Sequence, residues 1–108
     1  MSADSRREEL LAEIQRLARL AIVGSMSETF RTCGSASCRC HTTGPKHGPH
    51  AYVSYRSSET RKTAGFYVPA DAVHAVRDGI DAWKAVQLRI KELADLNRQR
   101  ALARSRAK

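Results

Sequence analysis

Apolar residues first settle into a helical rhythm at Leu10, Ile14, Leu17 and Ala21, in steps of four, three and four. Steps of that size place them on one face of an α-helix, with Arg6, Arg7, Glu9, Glu13, Arg16 and Arg19 largely off it. The pattern predicts a helix over residues 5–23, stopped by Gly24-Ser25-Met26-Ser27. The rhythm then vanishes until two short runs rich in Tyr, Val, Phe and Thr, Ala51–Arg56 and Lys62–Val68, which predict strands. Ser57-Ser58-Glu59-Thr60 between them makes a β-hairpin the natural reading. An isolated hairpin is marginal in water, so this one calls for a metal or a covering helix.

Pro69 suits the first turn of a second helix, and Asp71 and Asp78 fall near its positive N-terminal end. Beyond it, positions 73, 76, 80, 83, 87, 90, 94 and 97 alternate steps of three and four and read Val, Val, Ile, Trp, Gln, Ile, Ala, Asn. Leu93 and Leu96 widen the stripe. This heptad-like seam predicts a helix over residues 69–100, roughly 50 Å long. Gly79 costs about 1 kcal/mol inside it. Leu10, Ile14 and Leu17 are expected to pack against the Val73–Ile90 part of the seam, with Trp83 mostly buried. From Arg98 onward the chain carries five positive charges and no negative one, and residues 101–108 are expected as a basic tail.

Composition adds a limit and a direction. A chain of 108 residues has room for one small domain, here residues 1–108, with a thin core and no deep catalytic pocket. Lys and Arg number 19 against 11 Asp and Glu, a net charge of +8. That balance favours polyanions, with nucleic acid ahead of an anionic membrane surface. The excess is focused: residues 30–62 hold six basic residues and one acid, whereas residues 63–97 hold four basic and five acidic ones. No run approaches the 18 or so apolar residues of a membrane span, and the first residues lack the apolar stretch of a signal peptide. The expectation is a cytoplasmic protein that makes no use of a membrane.

In a reducing compartment, three cysteines within eight residues (Cys33, Cys38, Cys40) argue for a metal rather than a disulfide. The run Cys33-Gly-Ser-Ala-Ser-Cys38-Arg-Cys40-His41 is followed by His47-Gly-Pro-His50. Zinc takes four soft or borderline ligands in a tetrahedron, commonly thiolates mixed with imidazoles. Cys33, Cys38 and Cys40 are therefore candidate Zn2+ ligands. His47 is favoured as the fourth, ahead of His50 and His41. His41 follows Cys40 directly, so both ligating at once is strained. Gly34 is expected to let the backbone turn tightly around the metal, and Arg39 to offset the charge of the thiolates. His74, one position from Val73, reads as a surface or packing histidine. The fold class is then α+β, mostly helical: an N-terminal helix, a zinc-stapled loop and β-hairpin over residues 30–68, and a long coiled-coil-like C-terminal helix.

The run Gly24-Ser-Met-Ser…Arg31-Thr-Cys33-Gly-Ser-Ala-Ser-Cys38-Arg-Cys40…His47-Gly-Pro-His50-Ala-Tyr52…Tyr67-Val-Pro69 resembles an uncharacterised family of small bacterial and archaeal proteins. Its members read C-G-x-x-x-C-x-C, then H-G-P-Y-x-Y, then Y-V-P before a long helix. The resemblance covers about residues 24–97 and supports Cys33, Cys38, Cys40 and His47 position by position. It departs at position 50, where His stands for the family's usual Tyr. It implies a domain of unknown function that accompanies mobile elements, and it supplies no activity.

Two classes of function follow. In the first the protein binds nucleic acid, DNA ahead of RNA, through Arg31, Arg39, Lys46, Arg56, Arg61 and Lys62 around the zinc hairpin, helped by Arg98 and Arg100. Tyr52, Tyr55, Phe66 and Tyr67 lie among these cations, and are read as the hairpin's core rather than as base-stacking groups. In the second the protein is an adaptor that forms a homodimer or grips a partner protein through its helices, with the zinc as a staple. Catalysis is not expected. Cys and His could supply a nucleophile and a base, but no orienting acid accompanies them, and Glu28 and Glu59 are the only acids near the hairpin.

Overall fold

A computed structural model of the chain describes residues 3–106, the side chain of Arg31 excepted. The order is α1 (Ala3–Ala18), β1 (Ser25–Arg31), a 3-10 turn (Arg39–His41), β2 (His47–Arg56), β3 (Thr63–Val68), a second 3-10 turn (Ala70–Ala72) and α2 (Val73–Arg106). The α+β class with two terminal helices around a hairpin holds. The contacts gather into two compact units, Val23–Ile80 and the pair Met1–Ile22 with Asp81–Lys108.

In the first unit the strands form one antiparallel sheet in the order β1-β2-β3. Val53 stands between Met26 and Phe66, and Ala51 between Glu28 and Val68. Side chains alternate across a strand, so these six share a face. It holds the unit's core, with Val53 fully buried and Ala51 and Val68 nearly so. The start of α2 serves this face. Arg77 ion-pairs with Glu28, and Val73 lines one groove with Ala51 and Val68. Gly24, at a φ of 143°, leads into β1 where any side chain would strike Val53.

The opposite face carries Ser27, Tyr52 and Tyr67 in one row and Ser25, Ser54 and Gly65 in the next. The Tyr52 ring lies directly over Gly65, where a Cβ would come within 2.2 Å of its hydroxyl oxygen. Tyr52 and Tyr67 meet edge to face at 4.9 Å. These two tyrosines therefore lie off the buried face of the sheet, contrary to the reading of them as hairpin core. Their positions, alternating with Ala51 and Val53, decide this.

Strand β1 was not expected. Its sequence, Ser-Met-Ser-Glu-Thr-Phe-Arg, has few apolar residues, and Glu28 sits on the covered face where an apolar residue would announce a strand. Arg77 makes that placement tolerable.

In the second unit α1 and the C-terminal part of α2 run antiparallel, tied by charge. Arg6 forks onto Glu92 (2.6 and 2.9 Å) and Arg89 reaches Glu13 (2.6 Å). Arg7, itself buried, donates to Asn97 Oδ1 at 3.1 Å. Leu10, Ala82 and Val86 are buried beneath this polar lacing. The ends of both helices differ from expectation. α1 ends at Ala18 rather than at residue 23, because the chain leaves it through a tight turn in which Leu20 N–H donates to the Leu17 carbonyl. α2 continues through Arg106, so the described part of the expected tail is helical. Its sequence favours this, since Arg, Gln, Ala and Leu are strong helix formers and Arg104 and Arg106 suit the negative end of the helix dipole. Ala107 and Lys108 lie outside the described residues.

The seam of α2 also shifts. From Ala82 on, buried or half-buried positions run through Val86, Arg89, Leu93 and Leu96, while Gln87, Ile90, Ala94 and Asn97 are exposed. The stripe slips by one residue where the helix passes from one unit to the other, so a single seam extrapolated from Val73 lands one position late. The α1 ion-pair and amide partners are Arg89, at the end of the expected Val73–Ile90 stretch, and Glu92 and Asn97, which lie beyond it. Trp83 is half-buried. Among the described residues no helix is long and apolar enough to cross a membrane.

Candidate metal centre

Between β1 and β2 the chain makes a lobe too poor in apolar residues to hold its shape by burial. Backbone turns organise it instead. Cys38 N–H donates to the Ser35 carbonyl (3.1 Å) and His41 N–H to the Cys38 carbonyl (3.1 Å). Gly44 N–H closes onto the Arg39 carbonyl at 2.8 Å, an approach that leaves no room for a Cβ, which would lie 2.6 to 2.9 Å from Arg39 atoms. Lys46 crosses the lobe and donates from Nζ to the Cys40 carbonyl at 2.8 Å. At the base, Arg31 pairs with His47 across the two strands, past a bulge between Thr29 and Arg31. The sheet therefore brings the end of β1, just before Cys33, to the start of β2 at His47.

The result is a cluster. Ligand atoms of Cys33, Cys38, Cys40 and His47 all lie within 4.8 Å of one another. Cys33 Sγ and Cys40 Sγ are 3.7 Å apart, and Cys38 Sγ is 3.3 Å from His47 Nε2. A zinc tetrahedron with its usual bond lengths has S···S edges of about 3.8 Å and S···N edges of about 3.5 Å. The sulfurs stand well beyond disulfide distance, about 2.05 Å, and all three cysteines are free. The four residues are close enough to hold one metal ion, and three sulfurs with one imidazole nitrogen are a donor set that zinc accepts.

Electrostatics favours a ligand-ready thiolate. The Cys38 thiol is lowered to about 6, chiefly by the backbone N–H of Cys40 and then by His47. Burial pushes the Cys40 thiol up, as removal from water disfavours the charged form. Cys40 is the buried member of the set, while Cys33 and Cys38 are half-buried and His47 exposed.

Of the three candidate histidines, the structure brings only His47 to the cluster. His41 Nε2 is spent on the Cys33 carbonyl at 2.8 Å, and His50 lies farther along β2, exposed and in register with Thr29. Gly34 has open space where a side chain would stand and no positive φ. The close approach expected at Gly34 belongs to Gly44.

The cations expected as one patch around the metal are spread out. Arg39 and Lys46 sit on the lobe, whereas Arg56, Arg61 and Lys62 lie at the other end of the hairpin. His47 and Arg56 are the two ends of the ten-residue strand β2, about 30 Å apart. Arg98 and Arg100 lie on α2 in the second unit, Arg98 against Asp95 at 3.5 Å. Arg31 belongs to β1, but its side chain lies outside the described residues.

The family model described as Domain of unknown function (DUF6788) matches residues 3–78, from α1 through the cluster and the whole sheet to the first turns of α2. Among curated proteins and among solved structures nothing matches.

Proposed function

We propose that this chain, which belongs to the DUF6788 family of unknown function, is a nucleic-acid-binding protein whose hairpin is stapled by zinc on Cys33, Cys38, Cys40 and His47. Four protein donors would complete the tetrahedron and leave no open position for a substrate, so the zinc is read as structural and the protein as non-catalytic. Thiol ligands suit a reducing compartment such as the cytoplasm.

The observation that carries the nucleic-acid reading is how the charges are committed. Arg6, Arg7, Arg77 and Arg89 are held by carboxylates inside their units. Arg39, Arg56, Arg61 and Lys62 are exposed and make no ion pair among the described residues. Glu59 shares the β2–β3 turn without neutralising them. Uncommitted cations on a rigid hairpin are what phosphate contacts require, because they lose little entropy on binding.

The test is affinity against salt. The parent should bind nucleic acid at low salt and lose affinity with a slope near one unit per phosphate contact. Replacing Arg56, Arg61 and Lys62 together by Ala should flatten the slope by about two to three units and leave zinc content intact. No binding at low salt overturns the reading. The adaptor reading would then take over, favoured by the exposure of Leu11, Leu88, Ile90 and Leu102 on the helices, with the mass in solution as its measure.

A further inference from the structure

The sheet has one covered face and one open face, and the open one combines aromatic rings with a one-sided charge. Tyr67 is 55 % exposed. Its neighbour Tyr52 meets it edge to face and is braced from below by Gly65. The bracing matters, because a ring fixed on its support loses little freedom when a second flat group stacks beside it. Strand alternation places Ser27, Thr29 and Arg56 on this same face and puts Glu28 on the other. No strand position on the open face is acidic. The face is bounded at one end by Arg56, Arg61 and Lys62 and at the other by the lobe that carries Arg39 and Lys46, a track of about 30 Å.

We infer that this face is a stacking platform for unpaired bases, and that the protein's ligand is single-stranded nucleic acid. The inference rests on the nucleic-acid reading above and narrows it. A duplex hides its bases' flat surfaces, so a duplex-binding protein gains nothing from exposed tyrosines amid cations. A single strand offers both a phosphate backbone for the two basic ends and a π-face for Tyr67 and Tyr52. Charged grooves with aromatic rings between the charges are how small folds hold single strands, over about 4–16 nucleotides. The split of the cations to the two ends of β2, which defeats a single compact patch, is what a strand laid along the hairpin would use.

The experiment compares zinc-loaded full-length protein with a labelled single-stranded oligothymidine and with a duplex of the same length, at fixed salt. The parent should prefer the single strand. Tyr67→Ala should weaken single-strand binding about 5- to 100-fold, as loss of one stacked base does. Its salt slope, zinc content and duplex binding should stay unchanged, and Tyr67→Phe should bind as the parent does. Photocrosslinking of the parent to an oligonucleotide carrying 5-iodouracil should label Tyr52 or Tyr67, which keeps the test decisive if Tyr67→Ala proves unstable. Preference for duplex, or Tyr67→Ala binding single strands like the parent, or a crosslink elsewhere, overturns the platform. If the Arg56, Arg61 and Lys62 variant still weakens binding in that case, the broader nucleic-acid reading survives. Absence of binding to either probe at low salt removes both.

Discussion

Cys38 Sγ and His47 Nε2 stand 3.3 Å apart, brought together by a lobe whose two ends are fastened to adjacent strands. Each ligand's place has a separate cause: Cys33 follows β1, Cys38 precedes a 3-10 turn and Cys40 lies within it, and His47 opens β2. A metal there would cross-link strand to lobe. Cys38→Ser is therefore expected to abolish stoichiometric zinc, and His47→Ala to weaken it severely. His41→Ala and His50→Ala should keep one zinc per chain. Metal analysis of the four purified variants checks the ranking.

Removing the metal should also loosen the unit that contains it, because binding and folding are coupled in small sites. With a strong chelator, amides of β1 and β2 next to the lobe should lose hydrogen-exchange protection. Those of α1, which rests on Leu10 and its ion pairs, should keep it. Equal loss everywhere would mean that the two units unfold as one.

Leu10 is fully buried, so Leu10→Ala should destabilise the protein by about 2–5 kcal/mol. Zinc content should not change, since the cluster belongs to the other unit. Denaturant unfolding alongside metal analysis separates the two effects.

Arg61 sits at a φ of 61°, in the left-handed region. Glycine adopts that conformation without the steric cost of about 1 kcal/mol that a side chain bears. Arg61→Gly should thus leave stability equal or slightly higher while removing one phosphate contact. A lower melting temperature together with unchanged nucleic-acid affinity would contradict both halves of this expectation.

The Glu92 carboxyl is held below its usual range by its hydrogen bonds to Arg6. A depressed folded-state value means the pair stabilises fully above the unfolded carboxylate's pKa, about 4.3, and that this stabilisation fades as pH falls through the folded value. The melting temperature of the parent should exceed that of Glu92→Gln at pH 6–7, and the gap should close towards pH 3. The pair is partly exposed, so the gap is expected to be modest and to shrink with salt.

Much of this was legible in the sequence. Leu10, Ile14 and Leu17 marked α1, the Tyr- and Val-rich runs marked β2 and β3, and the spacing of Cys33, Cys38 and Cys40 marked the cluster. What escaped depended on partners distant in the chain. β1 is polar because Arg77 satisfies Glu28 and because its Ser27 and Thr29 lie on the open face. The α2 stripe slips because its two ends serve different units. Tyr52 and Tyr67 passed for core because tyrosine suits either face of a sheet, and only their alternation with the buried Ala51, Val53 and Val68 separates the two. The preference for His47 over His41 was legible in the spacing, because His41 adjoins Cys40, and the hydrogen bond that commits His41 to the Cys33 carbonyl agrees with it.

The most direct test of the metal centre is X-ray absorption at the zinc edge on stoichiometrically loaded protein. The account predicts a first shell of three sulfurs at about 2.3 Å and one nitrogen at about 2.0–2.1 Å, with the nitrogen lost from His47→Ala. A shell of oxygens, fewer than three sulfurs, or a protein that retains no zinc after gel filtration would contradict it.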